Sequence, residues 1–297
     1  MTILITGASG LIGSHLCRTL AEEGRDVVGL CHSHPISVRP NLRVDVCDIT
    51  DYDDVSTRFG LWQPDTVLHF AAHLPSTANP DFIKVNVIGT SNLLDICCRR
   101  GVKNFIYASS MSVYSAPPIR LPVSEEYLTR PDDTYGKTKL IGELLCKCYS
   151  KLIRTITIRF SSVFGRGDNS RVAYHFMQSA LSGQAIQVDG NGSQSSDFIY
   201  VGDAVRGAML ALENGKSGEV YNIGSGQETS VLELANLIAG LGDVDSGKVE
   251  VKLSGKPATR PFRFAADNGK ARRELGYEPS GLVDGLRKYR EELSDKK

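Results

Sequence analysis

Residues 2–16 read TILITGASGLIGSHL, and this stretch decides the fold. TILIT (2–6) is short, apolar and β-branched, the pattern of a buried strand. Gly7, Gly10 and Gly13 follow at three-residue intervals, and a helical pattern then runs over 11–23. A strand that turns through glycines into a helix brings backbone N–H groups and the positive helix end to one point, where a dinucleotide pyrophosphate can sit. The spacing G-x-x-G-x-x-G differs by one residue from the common dinucleotide fingerprint, but the strand, turn and helix it requires are all in order.

Working outward, further strands are expected at 26–30, 42–46, 65–70, 103–109 and 154–160, with helices at 51–59, 81–100 and 134–151. Strand–helix alternation with nearly continuous apolar strands predicts an α/β fold, a Rossmann-type doubly wound parallel sheet. Beyond 165 the segments shorten and glycine and polar residues become denser. The reading is a dinucleotide-binding domain over 1–165 and a smaller, mixed α/β substrate lobe over 166–297, interleaved across a soft boundary. In that lobe a helix is expected at 169–182 and a turn-rich stretch at 188–197. Asp203 is expected to cap a helix at 204–213. Ser230 and Glu233 form a capping box opening 231–240, and Asp267 caps a helix that stops at Gly276.

The 297 residues carry 34 Lys plus Arg against 34 Asp plus Glu. That balance gives no electrostatic support for nucleic-acid or membrane-surface binding. No apolar run approaches the ~20 residues of a membrane span, and the N-terminus reads as a first strand rather than a signal peptide. The seven cysteines show no C-x-x-C pair, and five of them fall in helical patterns as small apolar fillers, which points to a reducing cytoplasm. His32 and His34 alternate in a loop with no cluster to complete a metal site, so no metal is expected.

The second strand ends in VVGLCHSHP, where an NAD enzyme usually presents an acid to the adenosine ribose. Cys31 stands there, followed by His32, Ser33 and later Arg39. Without the carboxylate, the repulsion against a 2′-phosphate is gone, which leans the cofactor from NAD towards NADP. Asp48 and Ile49, after the third strand, are placed for the adenine, and Asp48 is equally readable as a plain helix cap.

Tyr135 and Lys139 stand four apart in TYGKTKLIGE and so share a helix face. A phenol of pKa ≈ 10 moves protons at neutral pH only when its anion is stabilised, and Lys139 is a cation one turn away. The fifth strand ends in ASSMSVY, offering Ser109, Ser110 and Ser112 at the carboxyl edge of the sheet to hold a substrate oxygen.

Together these segments resemble the extended short-chain dehydrogenase/reductases, in the nucleotide-sugar epimerase/dehydratase/reductase branch that includes UDP-glucose 4-epimerase. The resemblance rests on GASGLIGSHL, VLHFAAH (67–73), VNVIGTSNLLD (85–95), FIYASSMSVY (105–114), YGKTK (135–139), IRFSSVFG (158–165), SDFIYVGDAV (196–205) and YNIGSGQETSVLELA (221–235). It implies Ser110 as the catalytic hydroxyl, Tyr135 as acid/base and Lys139 as the residue binding nicotinamide ribose. It implies cofactor contacts from Leu11, Ile12, Phe70, Ala71, Ala72, Ala108, Phe160 and Val163 beside the glycines. Asn86 is implied near the cofactor, with a structural role also open. His73, Ser112 and Ser162 are implied on the substrate side. A homodimer through the helices at 81–100 and 134–151 is a further implication.

The chain departs from the family pattern in places. Met111 and Ser112 stand where dehydratases carry an Asp–Glu pair, which argues against elimination of water. Ser162 stands where the family often has Asn, and Ser196 where it often has Arg. Losing that Arg removes a bidentate phosphate clamp, for which Arg166, Arg260 or Arg263 are the candidate replacements. The expected activity is NAD(P)-dependent hydride transfer at a sugar carbon, carbon 4, of a nucleotide-diphosphate sugar. Epimerase and NADPH-dependent 4-keto-sugar reductase rank level. A non-sugar carbonyl reductase and a non-catalytic cofactor-sensing scaffold are the rivals.

Overall fold

The computed structural model describes residues 1–75, 81–114, 118, 120–242, 249–255 and 263–294; the expected anion contact Arg260 lies outside them. The chain opens with β1 (Thr2–Thr6), α1 (Leu11–Glu22), β2 (Asp26–Cys31), β3 (Leu42–Val46), α2 (Tyr52–Trp62) and β4 (Thr66–His69). A π-helical turn, Lys84–Gly89, runs directly into α3 (Thr90–Arg100). Next come β5 (Asn104–Ser110), α4 (Thr134–Tyr149), β6 (Arg154–Phe160), β7 (Ser162–Phe164) and α5 (Val172–Leu181). Then follow β8 (Ile186–Val188), β9 (Ser195–Ser196), β10 (Phe198–Tyr200), α6 (Val201–Asn214) and β11 (Val220–Ile223). The chain continues through β12 (Thr229–Ser230), α7 (Val231–Ala239), β13 (Val251–Leu253), α8 (Gly269–Leu275) and α9 (Leu282–Ser294).

Seven strands form one parallel sheet in the order β11-β6-β5-β4-β1-β2-β3. Its inner strands are buried on both faces, as their nearly continuous apolar sequences require, while the edge strand β3 is part-exposed. In β1, Ile3 and Ile5 join a core with α1, α6 and α8, while Leu4 faces the opposite core with α2 and α3. The strand order reverses between β1 and β4, and the crevice over the carboxyl ends of the strands there is where ligands bind in such sheets.

The sixth expected strand is not the edge. β11 returns from beyond residue 165 and pairs with β6 from Val220↔Thr157 to Ile223↔Phe160. The later segments also build short pairs of their own, β7 with β10, β8 with β13 and β9 with β12. A separate core of Phe164, Phe176, Met177, Leu234, Ile238 and Tyr289 lies among them.

Of the three expected N-caps, one follows the sequence and two depart from it. The Ser230 side chain accepts Glu233 N–H at 3.0 Å. Asp267, expected as the cap of α8, stands one residue before the N-cap Asn268 and accepts Gly269 N–H at 2.8 Å from there; α8 ends at Gly276 with φ +74°, as expected. Asp203, expected as a cap, instead lies inside the first turn of α6. Its carboxylate accepts Ser280 N–H at 3.1 Å and Ser280 Oγ–H at 2.6 Å, and pairs with Arg206 at 2.7 Å. Tertiary partners recruit that acid, and the helix dipole favours it there as well.

Candidate active site

A cavity of about 960 Å³ opens over the switch point. One wall is the glycine turn. A Cβ on Gly13 would stand 2.2 Å from the Gly7 carbonyl oxygen, so only glycine lets α1 begin this close to β1. Gly7 itself holds φ +70°. No side chain caps the α1 N-terminus at Gly10, so its first-turn N–H groups stay free for a ligand. Gly7, Gly10, Leu11, Ile12 and Gly13 all line the cavity. An uncapped helix end and a turn of small residues, Gly7 to Gly10, fit a dinucleotide pyrophosphate.

Cys31, His32, Asp48 and Ile49 line the same cavity further along. The Asp48 carboxylate accepts Thr50 N–H at 2.9 Å and Thr50 Oγ–H at 2.8 Å. Burial opposes its charge, but those bonds and the nearby His32 and Lys84 outweigh it, and its pKa falls. The helix-cap alternative for Asp48 goes to Asp51, which accepts Asp53 and Asp54 N–H at the start of α2. Ser33 and Arg39 do not line the cavity. Ser33 bonds His34, and Arg39 reaches towards Glu22 at 3.7 Å.

The floor is built by β4, β5, α4 and β6. Phe70, Ala71, Ala72, Ala108, Phe160 and Val163 line it, as do Ser110, Ser112, Tyr135 and Lys139. The N-cap Asp133 accepts Gly136 N–H at 2.7 Å, fixing the turn that carries Tyr135. Lys139 is buried and donates Nζ–H to Ala108 O at 2.8 Å; its Nζ lies 5.8 Å from the Tyr135 ring centroid. Burial lowers the Lys139 pKa to about 8. Burial raises Tyr135 to about 12, against a hydrogen bond with Ser110 and the charge of Arg171. This corrects the expectation that Lys139 lowers the phenol. In the protein alone, desolvation of the phenolate dominates, and the ammonium is turned to a backbone carbonyl.

Asn86 is buried away from the cavity lining. Its Oδ1 accepts His73 N–H at 2.7 Å, and its Nδ2 donates to His73 O at 3.1 Å and Thr138 Oγ at 3.0 Å. It therefore ties the loop after β4 to α4, the structural role left open by the sequence. His73 lines the cavity beside Phe82. Below it, His69 is held between Thr6 Oγ at 2.7 Å and Thr90 Oγ at 2.9 Å.

On the substrate side, Ser162 lines the cavity and its Oγ lies 2.7 Å from Ser196 Oγ. The expected cations are elsewhere. Arg166 gives its carbonyl to His15 Nε2–H at 2.8 Å and is not in the lining. Arg263 makes a bidentate pair with Glu228 at 2.7 and 2.9 Å, also outside it. Among the described residues the arginine at the cavity wall is Arg171, which donates to Val163 O at 3.3 Å and lies 3.9 Å from Asp168. Lys84 is a second lining cation. Sequence reasoning missed both. Lys84 sits in the π turn, whose phase no periodicity predicts, and Arg171 precedes an ordinary amphipathic helix. Among the described residues no group of His, Cys, Asp and Glu could hold a metal ion.

The glycine cradle, the switch-point cavity and the Ser–Tyr–Lys floor define a dinucleotide-dependent α/β enzyme. The chain belongs to the NAD dependent epimerase/dehydratase family, whose model matches residues 3–224. It is 33% identical to a putative UDP-glucose 4-epimerase of Methanocaldococcus jannaschii over 96% of each chain. The UDP-glucose 4-epimerase of Thermotoga maritima, solved with UDP-glucose, superposes with TM-score 0.90 at 29% identity over 99% of each chain. The UDP-glucuronic acid 4-epimerase of Bacillus cereus, solved with UDP-glucuronic acid and NAD, gives TM-score 0.86 at 28% identity, again over 99% of each.

Proposed function

We propose that the chain is a nucleotide-sugar 4-epimerase, transferring hydride at carbon 4 with Tyr135 as the acid/base. The observation that carries this reading is the convergence of Ser110, Tyr135 and Lys139 on the floor of one cavity whose other wall is the glycine cradle. A nicotinamide bound there would supply the hydride acceptor and donor. Ser110 holds the substrate oxygen, and Tyr135 takes and returns its proton. With its pKa near 12, Tyr135 rests protonated, so its deprotonation needs positive charge brought close to the ring. The oxidised nicotinamide of a bound cofactor would bring that charge, while Lys139, 5.8 Å from the ring and bonded to Ala108 O, would hold the nicotinamide ribose. Met111 and Ser112 beside Ser110 leave no carboxylate to eliminate water, which disfavours a dehydratase.

Arg171 is the proposed contact for the diphosphate, whose charge must be met by donors or cations once desolvated. The test is conversion of UDP-glucose to UDP-galactose by the purified chain with NAD or NADP supplied, while nicotinamide fluorescence follows the cofactor. Interconversion with no net cofactor turnover supports the epimerase.

Cys31 and His32 at the ribose end favour a second reading, an NADPH-dependent 4-keto-sugar reductase. Stoichiometric oxidation of NADPH by a 4-keto nucleotide sugar would establish it instead. For assembly we propose a homodimer through α3 and α4, because Ile88 on the π turn leading into α3 and Ile141 and Leu144 on α4 leave apolar surface exposed beside these packed helices. Sedimentation of the purified chain measures that. The free thiols of all seven cysteines suit a cytoplasmic setting.

A further inference from the structure

Behind the floor of the cavity lies a buried polar network that the proposed reaction does not use. Glu143 and Arg159 pair at 2.6 Å with side chains only 7% and 6% exposed. Arg159 Nε also donates to Glu143 Oε1 at 2.9 Å, and the Ser109 hydroxyl donates to that same oxygen. Arg159 Nη1 donates to Tyr114 OH at 2.7 Å and to Glu125 O at 3.2 Å. Tyr114 OH in turn donates to Asn222 Oδ1 at 2.8 Å on β11.

A buried ion pair is seldom a net gain in stability over apolar residues of equal size, so its position calls for another account. The ion pair and Ser109 adjoin reacting or lining residues. Ser109 precedes Ser110, Glu143 lies one turn beyond Lys139, and Arg159 precedes Phe160. The groups facing Lys139 are the Tyr107 and Tyr135 rings, His69, Cys146 and Glu143. His69 is held neutral by burial, and burial likewise pushes the Cys146 thiol far up, so it stays uncharged. The negative charge behind the ammonium is therefore that of Glu143.

We propose that Glu143, locked by Arg159, is a positioning residue for the reaction. It fixes the Ser110 strand end against the Tyr135–Lys139 helix face and holds a negative charge behind the Lys139 ammonium. The proposal rests on the reading of Ser110, Tyr135 and Lys139 as the reacting set.

The experiment follows the Lys139 side chain directly, by NMR titration of 15N-lysine-labelled full-length protein, with the signal assigned by its loss in Lys139→Met. The test variant is Glu143→Gln combined with Arg159→Met, which removes both charges and leaves neither buried alone. Its Lys139 midpoint is expected to fall by a few tenths of a pH unit, since of the pair Glu143 is the member that acts on the ammonium, and the alkaline limb of UDP-glucose epimerisation should move down with it. A natively melting double variant whose midpoint is unmoved overturns the proposal, because a purely structural pair would behave that way. Glu143→Gln alone gives the same reading if the double variant does not fold. If neither folds, Ser109→Ala decides: a lower kcat at unchanged KM supports the strand-to-helix tie, and unchanged kcat overturns it. The NMR midpoint needs no turnover. An inactive Tyr135→Phe with an unmoved midpoint defeats the positioning role alone, whereas a fully active Tyr135→Phe defeats the catalytic reading beneath it.

Discussion

The hydroxyls of Ser162 and Ser196 lie 2.7 Å apart, so the two positions that depart from the family's phosphate-binding pattern meet each other. Two small neutral groups satisfy one another and offer no charge to a ligand. The cation has to come from elsewhere, and among the described residues Arg171 is the arginine on the wall.

Arg171→Ala is accordingly expected to weaken UDP-glucose binding roughly 10–100-fold, the worth of hydrogen bonds to a charged group. Cofactor affinity should be unchanged. Arg263→Ala, which breaks a pair with Glu228 away from the cavity, should leave both affinities intact. Calorimetry on the two variants checks this, and the reverse ranking would move the anion contact to Arg263.

Tyr135→Phe should keep the fold and cofactor binding while reducing turnover by about 10²–10⁴-fold, the usual contribution of a general acid–base group. The ring keeps its packing on α4, and only the proton carrier is lost. Steady-state rates and cofactor titrations on the same preparation separate the two effects, and wild-type turnover would remove Tyr135 from the mechanism.

Cofactor choice turns on Cys31. With no carboxylate at the ribose and with His32 and Lys84 in the lining, NADP(H) should bind more tightly than NAD(H) at both pH 6 and pH 8. Cys31→Asp should shift selectivity towards NAD by adding a ribose acceptor and repelling a 2′-phosphate. Fluorescence titration with NADPH and NADH measures both. Tighter NADH binding by the unaltered protein would strengthen the epimerase over the reductase.

His69 makes stability fall in acid. Thr90 Oγ donates to Asn86 O at 2.7 Å, so it accepts from His69 Nε2–H, and Nδ1 accepts from Thr6. The ring has no place for a second proton. Burial, with the charge of Lys139, lowers its pKa from 6.5 to about 3. Below pH 6.5 the unfolded chain therefore binds a proton that the folded chain refuses. The contribution of His69 is complete above 6.5 and is lost as the pH falls towards 3, at up to about 1.4 kcal/mol per unit. Urea unfolding at pH 7.5 and pH 5 should show about 2 kcal/mol less of this acid loss in His69→Asn. Equal losses would mean that the ring accepts a proton in place.

The sheet was legible because most of its strands are nearly continuous apolar runs and most are separated by helical periods; β1, β3 and β6 begin and end where the sequence predicts. The glycine turn, Ser110, Tyr135 and Lys139 were legible because motif and site are local. What escaped was non-local. β11 was not among the expected strands, because its four residues show no pattern of their own and its partner β6 lies far back in the chain. Asp203 reads as a cap until Ser280 reaches it. The phenol's environment also escaped, since spacing shows a neighbouring cation but not the desolvation that outweighs it.

β11 has a practical consequence for anyone recombining this chain with a relative. A cut at residue 165 detaches the strand that covers β6, leaving a buried, apolar strand as an open edge. It also strips Asn222 from Tyr114, and so from the network holding α4. A graft that exchanges substrate specificity must therefore carry the sugar-side segments while leaving Val220–Ile223 native. The transferable unit is two inserts around a retained strand, rather than a C-terminal half.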